Sequence, residues 1–313
     1  MNTIQKIVEE QRIVLGVLGT SLIVGTCLLA SCGNSIDAVS SLSGEPGLFQ
    51  LSFEHNSVQR ETVVYVPSSY SPEQSAPLML NFHGYGGTGE SQLEWADMRD
   101  LAERDGVIVV YPTGTEMEGS THWNCSLPSE DNKSTADDFG FVGMLIDTIA
   151  ASYSLDEERV YAVGYSNGGM MAFGLACFLS DRVAAVGSVS GTMLDDAAAG
   201  CETSHPTSVI TLNGTADSVL AYDGGSELLP ATEIIDLWVE WNQASTEPVT
   251  GEDSSGGATI QHWAYEGGTG GTAVHHYRYE GGGHVWFDET YEGSNASVLV
   301  WEFLTRFNQD GAL

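Results

Sequence analysis

Ser166 lies in Gly164-Tyr165-Ser166-Asn167-Gly168, between the apolar run Val160-Tyr161-Ala162-Val163 and a segment rich in helix formers. A serine on so tight a strand-to-helix turn is held strained, with its hydroxyl raised above the sheet. Small residues on both sides let the backbone turn that sharply. The amino terminus of the next helix adds a positive field where an oxygen would become negative. The string Gly-x-Ser-x-Gly is weak alone in a chain with 37 glycines, and the strand before it and helix after it give it weight. A hydroxyl is a poor nucleophile near neutral pH, so such a serine needs a base and an acid that orients the base.

For a serine placed this way, the acid and then the histidine follow in chain order. His205, His262 and His284 lie downstream in turn-like or strand-end settings, and His275-His276 fall inside a strand. His284 follows Gly281-Gly282-Gly283, and a histidine on a flexible Gly-rich loop can swing over a serine. His275 and His276 point to opposite faces of their strand, which reads as structural or exposed. The candidate acid is Asp217, just past the strand at 209–212, where it can reach a histidine from the carboxyl edge of a sheet. Asp223 is its rival. An oxyanion hole would draw on the backbone N–H of Asn167 and that of Tyr85 in His83-Gly84-Tyr85-Gly86-Gly87. Gly84, Gly86 and Gly89 also match a dinucleotide fingerprint, with Asp105 at a suitable distance. A complete acyl-transfer set explains the same glycines, and no cofactor or metal is expected.

Short apolar strands at 77–82, 107–111, 159–164, 183–189 and 208–212 alternate with helices at 92–104, 137–153, 168–179 and 231–242. A further strand at 277–279 precedes a closing helix at 298–307. The order predicts a mostly parallel sheet covered on both faces, preceded by a strand pair at 48–53 and 62–66. Residues 113–135 read as a surface excursion, and 251–257 and 266–272 as Gly-rich surface loops. No internal repeat or second domain is visible.

The chain has 313 residues, 10 Lys+Arg and 43 Asp+Glu, for a net charge of -33. Beyond residue 32 the only lysine is Lys133. This argues against nucleic acid as a partner, because phosphate binding needs clustered cations. The 42% hydrophobic content is enough for a packed core. The acidity fits an exported protein, and also adaptation to high salt, where self-repulsion is screened.

Residues 13–30 carry no charge, follow Lys6 and Arg12, and end in Leu29-Ala30-Ser31-Cys32. This is the layout of a secretory signal. Its end resembles a lipobox, with Cys32 as the lipidated residue of an exported, surface-anchored protein. The expected organisation is a lipoprotein-type signal at 1–31, a flexible tether at 32–47 and a catalytic domain at 48–313. Membrane contact would be through the lipid alone. Cys177, on a helix, and Cys201, just before a strand, are the expected disulfide, with Cys125 outside the pair.

The stretches HGYGG, DDFGFVGMLID, RVYAVGYSNGGMMAFGLAC, NGTAD and GGGHVW together resemble secreted esterases of the α/β-hydrolase fold. The group is the polyhydroxybutyrate depolymerase and feruloyl/acetylxylan esterase family. The resemblance runs over residues 60–307. It implies hydrolysis of carboxylic esters, polymeric esters among them, through Ser166, Asp217 and His284. The departures are Gln243-Ala244, where such proteins often carry a cysteine after Trp-Asn, and Phe287, where a proline is common. They bear on acyl preference. Trp123, Tyr222 and Trp286 are candidate aromatic walls of the substrate cleft. A serine peptidase on the same fold and a non-catalytic binding lipoprotein are the competing readings.

Overall fold

The computed structural model describes residues 37–38, 42–127 and 134–313. The signal expected at 1–31 and Cys32 lie outside the described residues. Among the described residues, no helix is long and apolar enough to cross a membrane.

The strands that build the main sheet are β1 (Asp37–Ala38), β2 (Gly47–His55), β3 (Val58–Val66), β4 (Ala76–Phe82) and β5 (Ile108–Pro112). A small hairpin, β6 (Thr115–Met117) and β7 (Ser120–His122), stands apart. The main sheet continues with β8 (Leu155–Tyr165), β9 (Ala185–Val189), β10 (Ser208–Gly214), β11 (Val249–Asp253), β12 (Ile260–Tyr265) and β13 (Val274–Tyr279). The helices are α1 (Gly89–Trp95), α2 (Arg99–Asp105), α3 (Asp138–Ser152), α4 (Asn167–Phe178), α5 (Asp195–Ala199), α6 (Ala231–Asn242) and α7 (Ala296–Leu304).

The sheet order is β1-β2-β3-β5-β4-β8-β9-β10-β13-β12-β11. Strands β5, β4, β8, β9, β10 and β13 run parallel, flanked by antiparallel β2–β3 on one side and β12–β11 on the other. The central strands are apolar along their whole length because both faces are covered. Alternation then sends neighbours to opposite cores. Leu78, Leu80 and Phe82 of β4 join Phe141, Leu145, Phe173 and Trp238 from α3, α4 and α6. Met79, between them, joins Ala102, Val300 and Trp301 from α2 and α7. Cys177 on α4 and Cys201 after α5 form a disulfide, with their Cα atoms 4.6 Å apart.

The structure departs from the sequence reading at several points. The helix expected over 92–104 is two helices, because the Tyr111 hydroxyl intrudes, accepting from Met98 N–H and donating to Ala96 C=O. Residues 251–253 belong to edge strand β11, whose polar, largely exposed sequence hides a strand. The stretch 113–135 contributes the β6–β7 hairpin and then the fully buried Trp123. Part of the expected tether is folded: Asp37–Ala38 pairs with β2, and Tyr153 hydrogen-bonds to Glu45 O.

Candidate active site

Four segments meet at the carboxyl ends of parallel strands of the sheet centre, where ligands of open α/β sheets bind. His83–Gly87 follows β4, Ser166 follows β8, Asp217 follows β10 and His284 follows β13.

Ser166 has φ 54° and ψ −118°, in the left-handed half of the backbone map that a non-glycine residue enters at a cost of about 1–3 kcal/mol. The turn exists because glycines flank it. A Cβ on Gly164 would overlap the backbone of Gly168, and one on Gly168 would overlap Phe82 O. Ser166 N–H donates to Val189 O, and its C=O accepts from Met170 N–H in the first turn of α4.

His284 Nε2 lies 2.8 Å from Ser166 Oγ, and its Nδ1 lies 2.7 Å from Asp217 Oδ2. The carboxylate can only accept, so Nδ1 carries the proton and Nε2 is left to accept from the serine hydroxyl. Asp217 Oδ1 also accepts from Val219 N–H and Leu220 N–H. Both side chains are nearly removed from water. The rival Asp223 is exposed, and Tyr222 beside it hydrogen-bonds to His276.

The histidine loop is fixed, where its glycines suggested a swinging arm. Tyr165 hydroxyl donates to His284 O at 2.7 Å, and Ser190 Oγ donates to Val285 O at 2.7 Å. Ala216 N–H donates to Gly282 O and Gly281 N–H to Thr215 Oγ1. A Cβ on Gly214 would overlap Gly282 O, so the glycines serve close approach of two backbones.

Of the remaining candidates, His205 bridges Pro206 O and Ser180 O. His276 is buried between Thr211 and Tyr222, and burial lowers its pKa to about 3. His262 and His275 face each other at 3.2 Å, and His275 reaches Glu266. All four lie outside the hydrogen-bonded row of Ser166, His284 and Asp217.

The loop carrying Tyr85 runs beside the serine. A Cβ on Gly84 would stand 3.2 Å from Ser166 Cβ and 2.8 Å from the Tyr165 ring. Gly86 N–H is used by Thr121 O. Asn167, the residue after Ser166, opens α4. The glycines that imitate a dinucleotide fingerprint have other uses. Gly84 faces Ser166, and a Cβ on Gly89 would overlap Tyr111 O. Asp105 binds Arg104 and Trp301.

A polar clamp that sequence reasoning missed ties this loop to α4. His83 is buried, which lowers its pKa to about 4 and keeps it neutral. Its Nε2 accepts from Gly114 N–H, so Nδ1 carries the proton and donates to Gly84 O. Trp123 Nε1 donates to His83 O. Asn167 Oδ1 accepts from Trp123 N–H, while its Nδ2 donates to Trp123 O and meets Cys125 Sγ. The signals were the types alone: a histidine before the loop, a tryptophan in the excursion, an asparagine after the serine. Their pairing spans about 40 residues and has no local pattern. Trp123 is therefore a brace, 1% exposed, and Trp286 is also buried, donating to Ser297 Oγ. Neither forms an open wall of a cleft, and Tyr222 is half-buried against His276.

The family model described as Esterase PHB depolymerase matches residues 61–225. Feruloyl esterase B of Piromyces equi is 28% identical over 200 residues, covering 60% of this chain and 37% of its own length. A bifunctional acetylxylan esterase/xylanase of Neocallimastix patriciarum is 30% identical over 163 residues, covering 52% of this chain and 22% of its own. The chain thus spans well under half of these two relatives. Among solved structures, an acetyl xylan esterase from Aspergillus awamori superposes with a TM-score of 0.62 at 15% identity, covering 82% of this chain and 99% of that one. A ferulic acid esterase from Anaeromyces mucronatus gives 0.55 at 14% identity, covering 85% and 92%. These likenesses fix the architecture as the α/β-hydrolase fold. Since the family model spans more than half of the sequence, from β3 through the Ser166 turn to Asp217, the chain belongs to the esterase PHB depolymerase family.

Proposed function

We propose that the protein is a serine carboxylic-ester hydrolase in which Ser166 attacks the ester carbonyl. The observation that carries this reading is the continuous row Ser166 Oγ, His284 imidazole, Asp217 carboxylate, with separations of 2.8 and 2.7 Å. His284 Nε2 takes the hydroxyl proton as the Oγ–C bond forms, and Asp217 stabilises the resulting imidazolium. The carbonyl oxygen, now negative, accepts from the amides of Asn167 and Tyr85. Each such donor is worth about 10²–10³ in turnover. His284 returns the proton to the leaving alcohol oxygen. Water activated by the same nitrogen then releases the acid and restores Ser166.

The substrates proposed are hydroxyalkanoate, feruloyl or acetyl esters, the last two being named among the similar proteins. We further propose export and anchoring through lipidated Cys32, which the leader sequence supports. The test of activity is labelling by a fluorophosphonate together with hydrolysis of p-nitrophenyl acetate. Both should vanish in Ser166→Ala with folding retained. Undiminished hydrolysis in that variant would overturn the assignment. Methyl ferulate, acetylated xylan and hydroxybutyrate oligomers would then sort the acyl group, and conversion of globomycin-sensitive precursor would read lipidation.

A further inference from the structure

The described residues expose six large apolar side chains: Val58, Trp95, Leu127, Val249, Val285 and Leu313. Three of these stand on segments that bound the Ser166 site. Val285 follows His284, and Leu127 stands two residues past Cys125, whose sulfur meets Asn167. Trp95 packs on Tyr165, the residue before Ser166.

Trp95 is the largest of the six and is 64% exposed. Its ring centroid is 5.7 Å from that of Tyr165 at an interplanar angle of 55°. The Tyr165 ring is in turn 5.1 Å from the His284 ring. Gly84, beside Tyr85, has no side chain and lies against Tyr165. A row of rings therefore leads from the imidazole outward, ending in an indole that is mostly open to water. Trp95 is not needed to seat its helix, because α1 buries Gly89, Gln92 and Leu93 instead. Its neighbours Glu94 and Asp97 are exposed acids, in a chain with a net charge of -33. That field disfavours an anionic occupant. An uncharged aromatic ring extends the row by the tilted or offset geometry that rings prefer, at centroid separations of about 4.5–7 Å.

We propose that Trp95 is a specificity-determining residue that stacks the ring of an aryl ester bound at Ser166. The proposal rests on the esterase reading. Its test compares methyl cinnamate with methyl butyrate in two ways. The first is binding to the Ser166→Ala protein by calorimetry, and the second is kcat/KM with Ser166 intact. Trp95→Ala should weaken binding and kcat/KM for the cinnamate about threefold to tenfold. The butyrate should change by less than about twofold, and Trp95→Phe should recover most of the loss. Equal losses on both esters, no loss on either, or no measurable binding of the cinnamate to Ser166→Ala would overturn the proposal. A wild-type protein that hydrolyses no ester would instead sink the esterase reading, and the binding comparison would still report on Trp95.

Discussion

Asn167→Ala separates the two jobs proposed for the residue after Ser166. The substitution keeps the backbone amide and removes the side chain that clamps Trp123. Trp123 N–H loses its 2.8 Å acceptor, and Trp123 O loses its 3.1 Å donor. Both groups sit where water does not reach, since Trp123 is 1% exposed. The carbonyl retains a weak contact from the Cys125 thiol at 3.4 Å, whereas the N–H is left with no side-chain acceptor. A buried group deprived of its partner costs about 1–3 kcal/mol. With one group lost and one weakened, the expected loss is about 2–4 kcal/mol. For a domain of this size that is roughly 2 °C of Tm per kcal/mol, or a fall of about 4–8 °C. Activity should fall as well. Trp123 holds His83 O, and His83 begins the loop that carries Tyr85. A loosened loop would weaken one of the two proposed oxyanion donors, so kcat should drop about tenfold to a hundredfold with KM little changed. Differential scanning calorimetry and steady-state hydrolysis of p-nitrophenyl acetate read the two effects. A Tm within about 1 °C of wild type would show that the clamp contributes nothing and would refute the reasoning.

Asp217→Asn should lower turnover by about 10⁴ with the fold retained, since the amide can no longer hold the required histidine tautomer. Asp223→Asn should stay near wild type, and the reverse pattern in kcat would move the acid to Asp223. Acid should destabilise the protein through His83 and His276, whose pKa values burial lowers to about 4 and about 3. Between pH 6.5 and 4 the unfolded chain binds protons that the folded one refuses. Stability is therefore full above pH 6.5 and falls with pH at up to about 1.4 kcal/mol per unit for each histidine. A flat Tm from pH 7 to 4.5 would exclude this. Raising NaCl from 0.1 to 2 M should raise Tm, because the Debye length shrinks from about 10 to under about 3 Å and screens the acidic surface. A flat or falling Tm would remove the halophilic reading.

The parts of the site that sequence makes legible are those with local signals. Ser166 is announced by a continuous apolar strand, two obligatory glycines and a helix, all within 20 residues. The candidate acid and histidine each follow a strand that must be buried, so their place at one sheet edge comes from topology alone. What stayed hidden depends on contacts distant in sequence. The break between α1 and α2 is made by a tyrosine hydroxyl on β5, and no pattern inside 92–104 records it. Strand β11 reads as a loop because an edge strand with two wet faces loses the apolar alternation that marks strands. The anchoring of the histidine loop by Tyr165 and Ser190 is likewise a meeting of ordinary residues across about 100 positions.

The same division explains why the site can be stiff while its loops are rich in glycine. Glycine makes possible the backbone approaches at Gly168 and Gly214 and the seat of the Tyr165 ring at Gly84, yet it supplies no rigidity. Rigidity comes from buried polar side chains whose partners are all in place: His83, Trp123 and Asn167 on one side of Ser166, Tyr165 and Ser190 on the other. Such a network holds donors still before charge develops, which is what makes fixed dipoles effective in a dry site. The Asp217 carboxylate follows the same logic. It is surrounded by three N–H donors, those of Val219, Leu220 and His284. In the proposed reaction, His284 taking the serine proton would place a full positive charge 2.7 Å from that carboxylate, in surroundings that screen it far less than water does. The attraction would be greatest once the proton had moved, so it would favour the charged state on the proposed reaction path over the resting one.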